Sequence, residues 1–169
     1  MSQSSPVVTL ASAENIPAMC EVYGYHVLHG TGSFEEVPPS VDEMHERWQQ
    51  RESCNHPTLV VHQNGAFAGF AYAASHKQRS AYRYTVEDSI YVAPDFAGQG
   101  LGRVLLRTLI EICTERKFKQ MIAVIGDSAN RQSIGLHESC GFKHVGTASG
   151  IGYKFDRWLD IVYMQRSLG

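Results

Sequence analysis

The sequence predicts a single α+β (mixed α/β) domain: a central mixed, mostly antiparallel sheet flanked by about four helices. Three observations carry this expectation. An Asn-Gly dipeptide, Asn64-Gly65, sits between two apolar runs and reads as a β-hairpin. A strand-like run, a glycine turn and an amphipathic stretch follow one another across residues 88–117. Beyond them, Met121-Ile122-Ala123-Val124-Ile125 is nearly all apolar and reads as a strand buried on both faces. The 169 residues suit one domain with a sizeable core. No repeat, linker or low-complexity segment divides them, so the domain is expected over residues 7–169, after a flexible N-terminus at residues 1–6.

In chain order, Val7-Val8-Thr9-Leu10 is the first strand. Ser12, Glu14 and Pro17 start a helix, and Ile16, Met19, Cys20, Tyr23 and Val27 keep helical spacing. Residues 30–33 end it, and residues 34–37 form a loop closed by two prolines. Ser40 with Glu43 three residues on is a capping box, so a second helix runs from Val41 to about Gln50. Strands at 59–62 and 66–72 flank the hairpin turn. A polar link at 75–80 leads to a long central strand, residues 82–92. The next helix, residues 101–117, has apolar residues at 101, 104, 105, 109, 112 and 113, one stripe of period 3.6. After the apolar strand, Asp127-Ser128 caps a helix over 130–140, which Gly141 ends. Residues 142–145 and 159–164 are the last strands, with 146–158 a loop between them.

Composition removes several function classes. The formal net charge is −2 and no Lys/Arg run stands out, which argues against nucleic acid as the partner. No apolar stretch approaches a membrane span. The start, residues 1–6, lacks a basic segment followed by an apolar core, so no signal peptide is expected. Cys20, Cys54, Cys113 and Cys140 form no Cys-x-x-Cys pair and read as the reduced thiols of a cytoplasmic protein. The histidines show no ligand spacing, so no metal is expected.

The segment whose residue types point to chemistry is Asp95-Phe96-Ala97-Gly98-Gln99-Gly100-Leu101-Gly102. Glycines at alternate positions allow positive φ and close approach of a ligand. The N–H groups that open a helix have no intrahelical partner, and with the helix dipole they make an anion site. The spacing does not fit Gly-x-Gly-x-x-Gly from Gly98, because position 103 is Arg, and no Gly-Lys-Ser/Thr is present. A pyrophosphate cradle and a plain turn both remain compatible with these residues alone.

The element order, with the glycine turn after the fourth strand, resembles the GNAT superfamily of acetyl-CoA-dependent acyltransferases. The family's loop pattern, Arg/Gln-x-x-Gly-x-Gly/Ala, aligns on Ala97, Gly100 and Gly102, with Ala97 departing from the usual Arg or Gln. A second signature aligns on Asn130, Leu136, Glu138, Gly141 and Phe142. Residues 79–92, residues 136–142, residues 152–160 and Phe34-Glu35 are similar to the phosphinothricin acetyltransferase subgroup, which includes enzymes for methionine sulfoximine and methionine sulfone. The resemblance covers residues 7–167.

What the resemblance implies is transfer of an acetyl group from acetyl-CoA to the primary amine of a small amino-acid-like acceptor, by direct attack in a ternary complex. It implies that Ala97, Gly98, Gln99, Gly100, Leu101, Gly102 and Arg103 cradle the pyrophosphate. Ile90, Tyr91 and Val92, across from Val124 and Ile125, would pair with the pantetheine arm where two parallel strands splay. Asn130 and Ser133, three apart on one helix face, would reach the arm from the other side. Glu87 falls at the family's catalytic position, a general base for the protonated amine. Its neighbour Asp88 points to the opposite face of a regular strand. His137 stands where many members place a Tyr, and an imidazole there would serve the leaving thiolate. For the acceptor, Arg79 would hold a carboxylate, Tyr82 would supply a hydroxyl and a wall, and Phe34 would cover the side chain, with Lys77 and Lys154 as further cations. A cysteine acyl-enzyme is set aside because Cys113 and Cys140 occupy core positions. The subgroup implies a homodimer. Two other readings stay open: a GNAT protein acetylating polyamines or protein amines, although no strongly acidic stretch is present to hold a polycation, and a non-catalytic acetyl-CoA-binding sensor.

Overall fold

The computed structural model describes residues 5–169. The flexible terminus expected at residues 1–6 therefore lies, for residues 1–4, outside the described residues. The elements are β1 (Val7–Leu10), α1 (Ile16–His29), α2 (Val41–Ser53), β2 (Thr58–Gln63), β3 (Ala66–Ser75), β4 (Thr85–Val92), α3 (Leu101–Glu115), β5 (Gln120–Gly126), α4 (Arg131–Ser139), β6 (Lys143–Lys154) and β7 (Arg157–Ser167). This is the order read from the sequence. The strands form one sheet in the order β1-β2-β3-β4-β5-β7-β6. Every neighbouring pair is antiparallel except β4 and β5.

The local chemistry explains the boundaries. Ser40 accepts from Glu43 N at 3.1 Å while Ser40 N donates to Glu43 Oε2 at 3.0 Å, the expected capping box of α2. Asn64 and Gly65 have φ of 52° and 80°, the left-handed values that a tight β2–β3 turn needs. The sheet separates two cores. On one face, α3 and α4 cover Val86, Met121, Ala123, Ile125 and Val162. On the other, α1 and α2 cover Val60, Phe70 and Tyr91. Alternation along β4 therefore sends Val86, Asp88, Ile90 and Val92 toward α3, and Glu87 and Tyr91 toward the α1 side.

Five expectations are corrected. The central strand begins at Thr85, not Tyr82, because Ser80–Tyr82 closes a 3₁₀ turn. The helix after the glycines stops at Glu115, and its buried stripe is 101, 105, 106, 109, 110 and 113, with Val104 and Ile112 at its edge. Strand β5 is buried on one face only, since Ile122 and Val124 are half-exposed. Asn130, not Asp127-Ser128, caps α4, its side chain accepting from Ser133 N at 3.1 Å. Residues 146–158 are not a loop: β6 and β7 make a long hairpin that turns at Phe155 and Asp156, both at positive φ.

Candidate active site

Strands β4 and β5 pair only over residues 85–88 and 120–123. Beyond that they part, because β4 follows β3 while β5 follows β7. A cleft of about 860 Å³ opens in the gap, walled by residues 89–92, by 123–126, and by the starts of α3 and α4. Ala93 N donates to Ala68 O on the β3 side. By alternation, the N–H and C=O of Ile90 and Val92 turn the other way, into the cleft. His26 of α1 reaches the Val92 carbonyl, with Nε2 at 2.8 Å.

The glycine segment forms the far wall. Gly98 and Gly100 have φ of 76° and 80° with open space where a Cβ would stand, so conformation and not crowding demands glycine. Ala97 N donates to Pro94 O, and Arg103 N to Gly100 O, both at 3.1 Å. The open donors thus narrow to residues 98–102, whose N–H groups meet no backbone acceptor among the described residues. They are set at the N-terminus of a 15-residue helix, which fits a pyrophosphate by geometry and dipole.

Of the residues expected to hold acetyl-CoA, Ile90, Tyr91, Val92, Ala97, Gly98, Gly100, Leu101, Gly102, Arg103, Asn130 and Ser133 all line this cleft. Gln99 does not; its side chain donates to Asp95 O at 3.3 Å. His137 lines the cleft but spends both ring nitrogens on protein, Nδ1 on Ser133 O at 2.7 Å and Nε2 on Asp88 Oδ2 at 2.9 Å. Burial opposes a charge on His137, yet the Asp88 hydrogen bond and charge, with the Ser133 carbonyl, outweigh it and raise its pKa. No proton of that ring is turned toward the cleft. Burial pushes the Cys113 thiol up to about 12, which keeps it protonated and unreactive.

Glu87 faces the α1 side of the sheet, in a second cavity of about 490 Å³ lined also by His76, Lys77, Ile122, Val124 and Tyr163. Val124 lines both cavities. His76, which no sequence pattern singles out, holds Glu87 Oε1 at 2.8 Å through Nδ1.

The residues expected for the acceptor are more dispersed. Arg79 is exposed at the start of the 3₁₀ turn and lines neither cavity. Tyr82 sets its ring edge-on to His76, with centroids 5.7 Å apart. Phe34 packs where Gly126 and Gly152 leave no room for a Cβ. Its loop is pinned by Lys154, only 2 % exposed, which donates to Gly30 O at 2.9 Å and Ser33 O at 2.7 Å. That ammonium is committed to the loop. On the loop's far side, Tyr23 donates to Glu35 Oε1 at 2.9 Å, and burial pushes its phenol up to about 12. Of the expected cations, Lys77 alone lines the Glu87 cavity.

Residues 25–142 match the acetyltransferase (GNAT) family. The chain is 47 % identical over 161 residues to a phosphinothricin N-acetyltransferase of Alcaligenes faecalis, covering 95 % of this chain and 82 % of that protein. It is 35 % identical over 161 residues to an L-methionine sulfoximine/L-methionine sulfone acetyltransferase of Salmonella typhimurium, covering 95 % and 94 %. Its fold superposes with a TM-score of 0.95 on the crystal structure of a GNAT superfamily phosphinothricin acetyltransferase from Sinorhizobium meliloti in complex with AcCoA, at 41 % identity over 98 % of this chain and 90 % of that one. No described helix is long and apolar enough to cross a membrane, and no cluster of metal ligands occurs among the described residues. This chain belongs to the GNAT family of acetyltransferases.

Proposed function

We propose that this protein acetylates the primary amine of a small amino-acid-like acceptor of the phosphinothricin, methionine sulfoximine or methionine sulfone type. One observation carries the reading: a donor cleft in the gap between β4 and β5 and a separate cavity with a carboxylate share Val124 in their walls. Such an arrangement lets both substrates be present at once, as direct transfer in a ternary complex requires. Acetyl-CoA supplies the acetyl group, activated as a thioester. Gly98, Gly100, Leu101 and Gly102 hold its pyrophosphate through backbone N–H groups, and the cleft-facing edge of Ile90 and Val92 pairs with its pantetheine arm.

An amine arrives protonated near neutral pH and is not a nucleophile until it loses that proton. Glu87 takes it, half-buried in the acceptor cavity with its side chain 32 % exposed. Lys77 supplies the cation that a zwitterionic acceptor needs, with Arg79 and Tyr82 at the outer rim and Phe34 closing the side near Gly126. His137 acts through α4, which it ties to Asp88. We place the enzyme in the cytoplasm as a homodimer. Ile151, Tyr153 and Trp158, 57 %, 54 % and 69 % exposed on the β6–β7 hairpin, form the apolar surface for a second copy.

The test is thiol release from acetyl-CoA with phosphinothricin, methionine sulfoximine, methionine sulfone, ordinary amino acids, spermidine and a lysine peptide. Turnover on the sulfur or phosphorus analogues is expected. Turnover on spermidine or the peptide alone overturns the acceptor assignment.

A further inference from the structure

Glu87 and His76 share a wall of the smaller cavity, and Nδ1 of His76 lies 2.8 Å from Oε1 of Glu87. The fold sets up this contact. The β3–β4 register places Ala74 opposite Glu87. His76 lies two residues beyond Ala74 on the same face, which makes it a diagonal cross-strand neighbour of Glu87. Its backbone stays attached to the hairpin, with His76 N donating to Thr85 O at 3.4 Å. The Tyr82 ring then meets the imidazole at 76° and fixes its tilt. The two side chains are 19 % and 32 % exposed. A hydrogen bond so shielded holds geometry better than a pair in open water.

We propose that His76 is a positioning residue for the Glu87 base, an inference that rests on the function proposed above. The Nδ1–H of His76 donates to Oε1. That fixes the rotation of the carboxylate and leaves Oε2 to meet the N–H of the acceptor amine. Without the donor, a glutamate with three side-chain torsions samples orientations in which neither oxygen reaches that proton, and the advantage of a held base is lost. His76 itself exchanges no proton in this scheme.

The test is a double-mutant cycle on the intact protein: wild type, His76→Phe, Glu87→Gln and the double variant. Each is assayed by thiol release with saturating acetyl-CoA and whichever acceptor of the panel above turns over fastest, and acetyl-CoA affinity is measured alongside. His76→Phe is expected to lower kcat about tenfold, to leave acetyl-CoA affinity unchanged, and to cost nothing further in the Glu87→Gln background. His76→Asn, whose amide N–H stands where Nδ1–H stood, is expected to recover the rate to within about threefold. His76→Gln, whose amide mimics the other ring nitrogen, is expected not to, and these two variants decide the matter if Phe disturbs folding. Equal losses in both backgrounds, equal rates for the Asn and Gln variants, or a full rate for His76→Phe beside a slow Glu87→Gln each overturn the proposal while leaving the base assignment standing. A full rate for Glu87→Gln overturns the base assignment first and this inference with it.

Discussion

His137 and Asp88 tie helix α4 to strand β4 beneath the cleft, with Nε2 2.9 Å from Oδ2 and side chains only 5 % and 2 % exposed. The Ser133 carbonyl can only accept, so Nδ1 carries a hydrogen. A second hydrogen on Nε2 then satisfies the Asp88 carboxylate. The pKa of His137 is raised in the fold by that pairing. Its stabilisation is therefore complete below the unfolded value of about 6.5 and fades as pH rises through the raised folded value. Asp88→Ala is expected to cost about 3 kcal/mol at pH 6 and clearly less at pH 9. Urea denaturation at the two pH values checks this; a deficit independent of pH contradicts it.

Phe34 depends on two missing side chains. A Cβ at Gly152 would collide with its ring, and one at Gly126 would meet both the ring and the Thr31 carbonyl. Gly152→Ala is expected to cost about 1–3 kcal/mol through overpacking. Adding Phe34→Ala should relieve most of it, because the two sites share one contact. Additive losses in denaturation measurements contradict the packing account.

What was legible in the sequence was local. Asn64-Gly65, the Ser40–Glu43 box and the glycine turn each carry their geometry in a few adjacent residues. The β6–β7 hairpin was not legible, because Gly146, Gly150 and Gly152 look like loop residues. In the fold they serve register shifts within β6 and room for a distant ring. His76 was hidden in a polar link. Its relation to Glu87 follows once the β3–β4 pairing is known, and nothing short of that register announces it. Asp88 was read as the residue facing away from the base; that it would find His137 depends on where α4 crosses β4.

Gly100 has φ of 80° at the cap of α3 with nothing near its Cβ position. Gly100→Ala is expected to strain that cap by about 1 kcal/mol and to turn the open N–H groups off line, raising the Kd for acetyl-CoA about tenfold. Titration calorimetry checks the value. Wild-type affinity would show that the donors of residues 98–102 do not form the cradle.

Lys154 donates to two carbonyls of the 30–36 loop from a site only 2 % exposed. Lys154→Met keeps the length of the side chain and deletes both bonds. A loss of about 2 kcal/mol is expected, with a lower kcat/KM for the acceptor as the loop shifts. Unchanged stability in urea contradicts the clamp.

If Glu87 is the base that removes the acceptor's proton, as proposed, its replacement separates turnover from cofactor binding. The most direct measurement is the rate of thiol release by Glu87→Gln with both substrates saturating, beside its affinity for acetyl-CoA. A rate at least about a hundredfold below wild type is expected, with acetyl-CoA binding unchanged. A wild-type rate contradicts it.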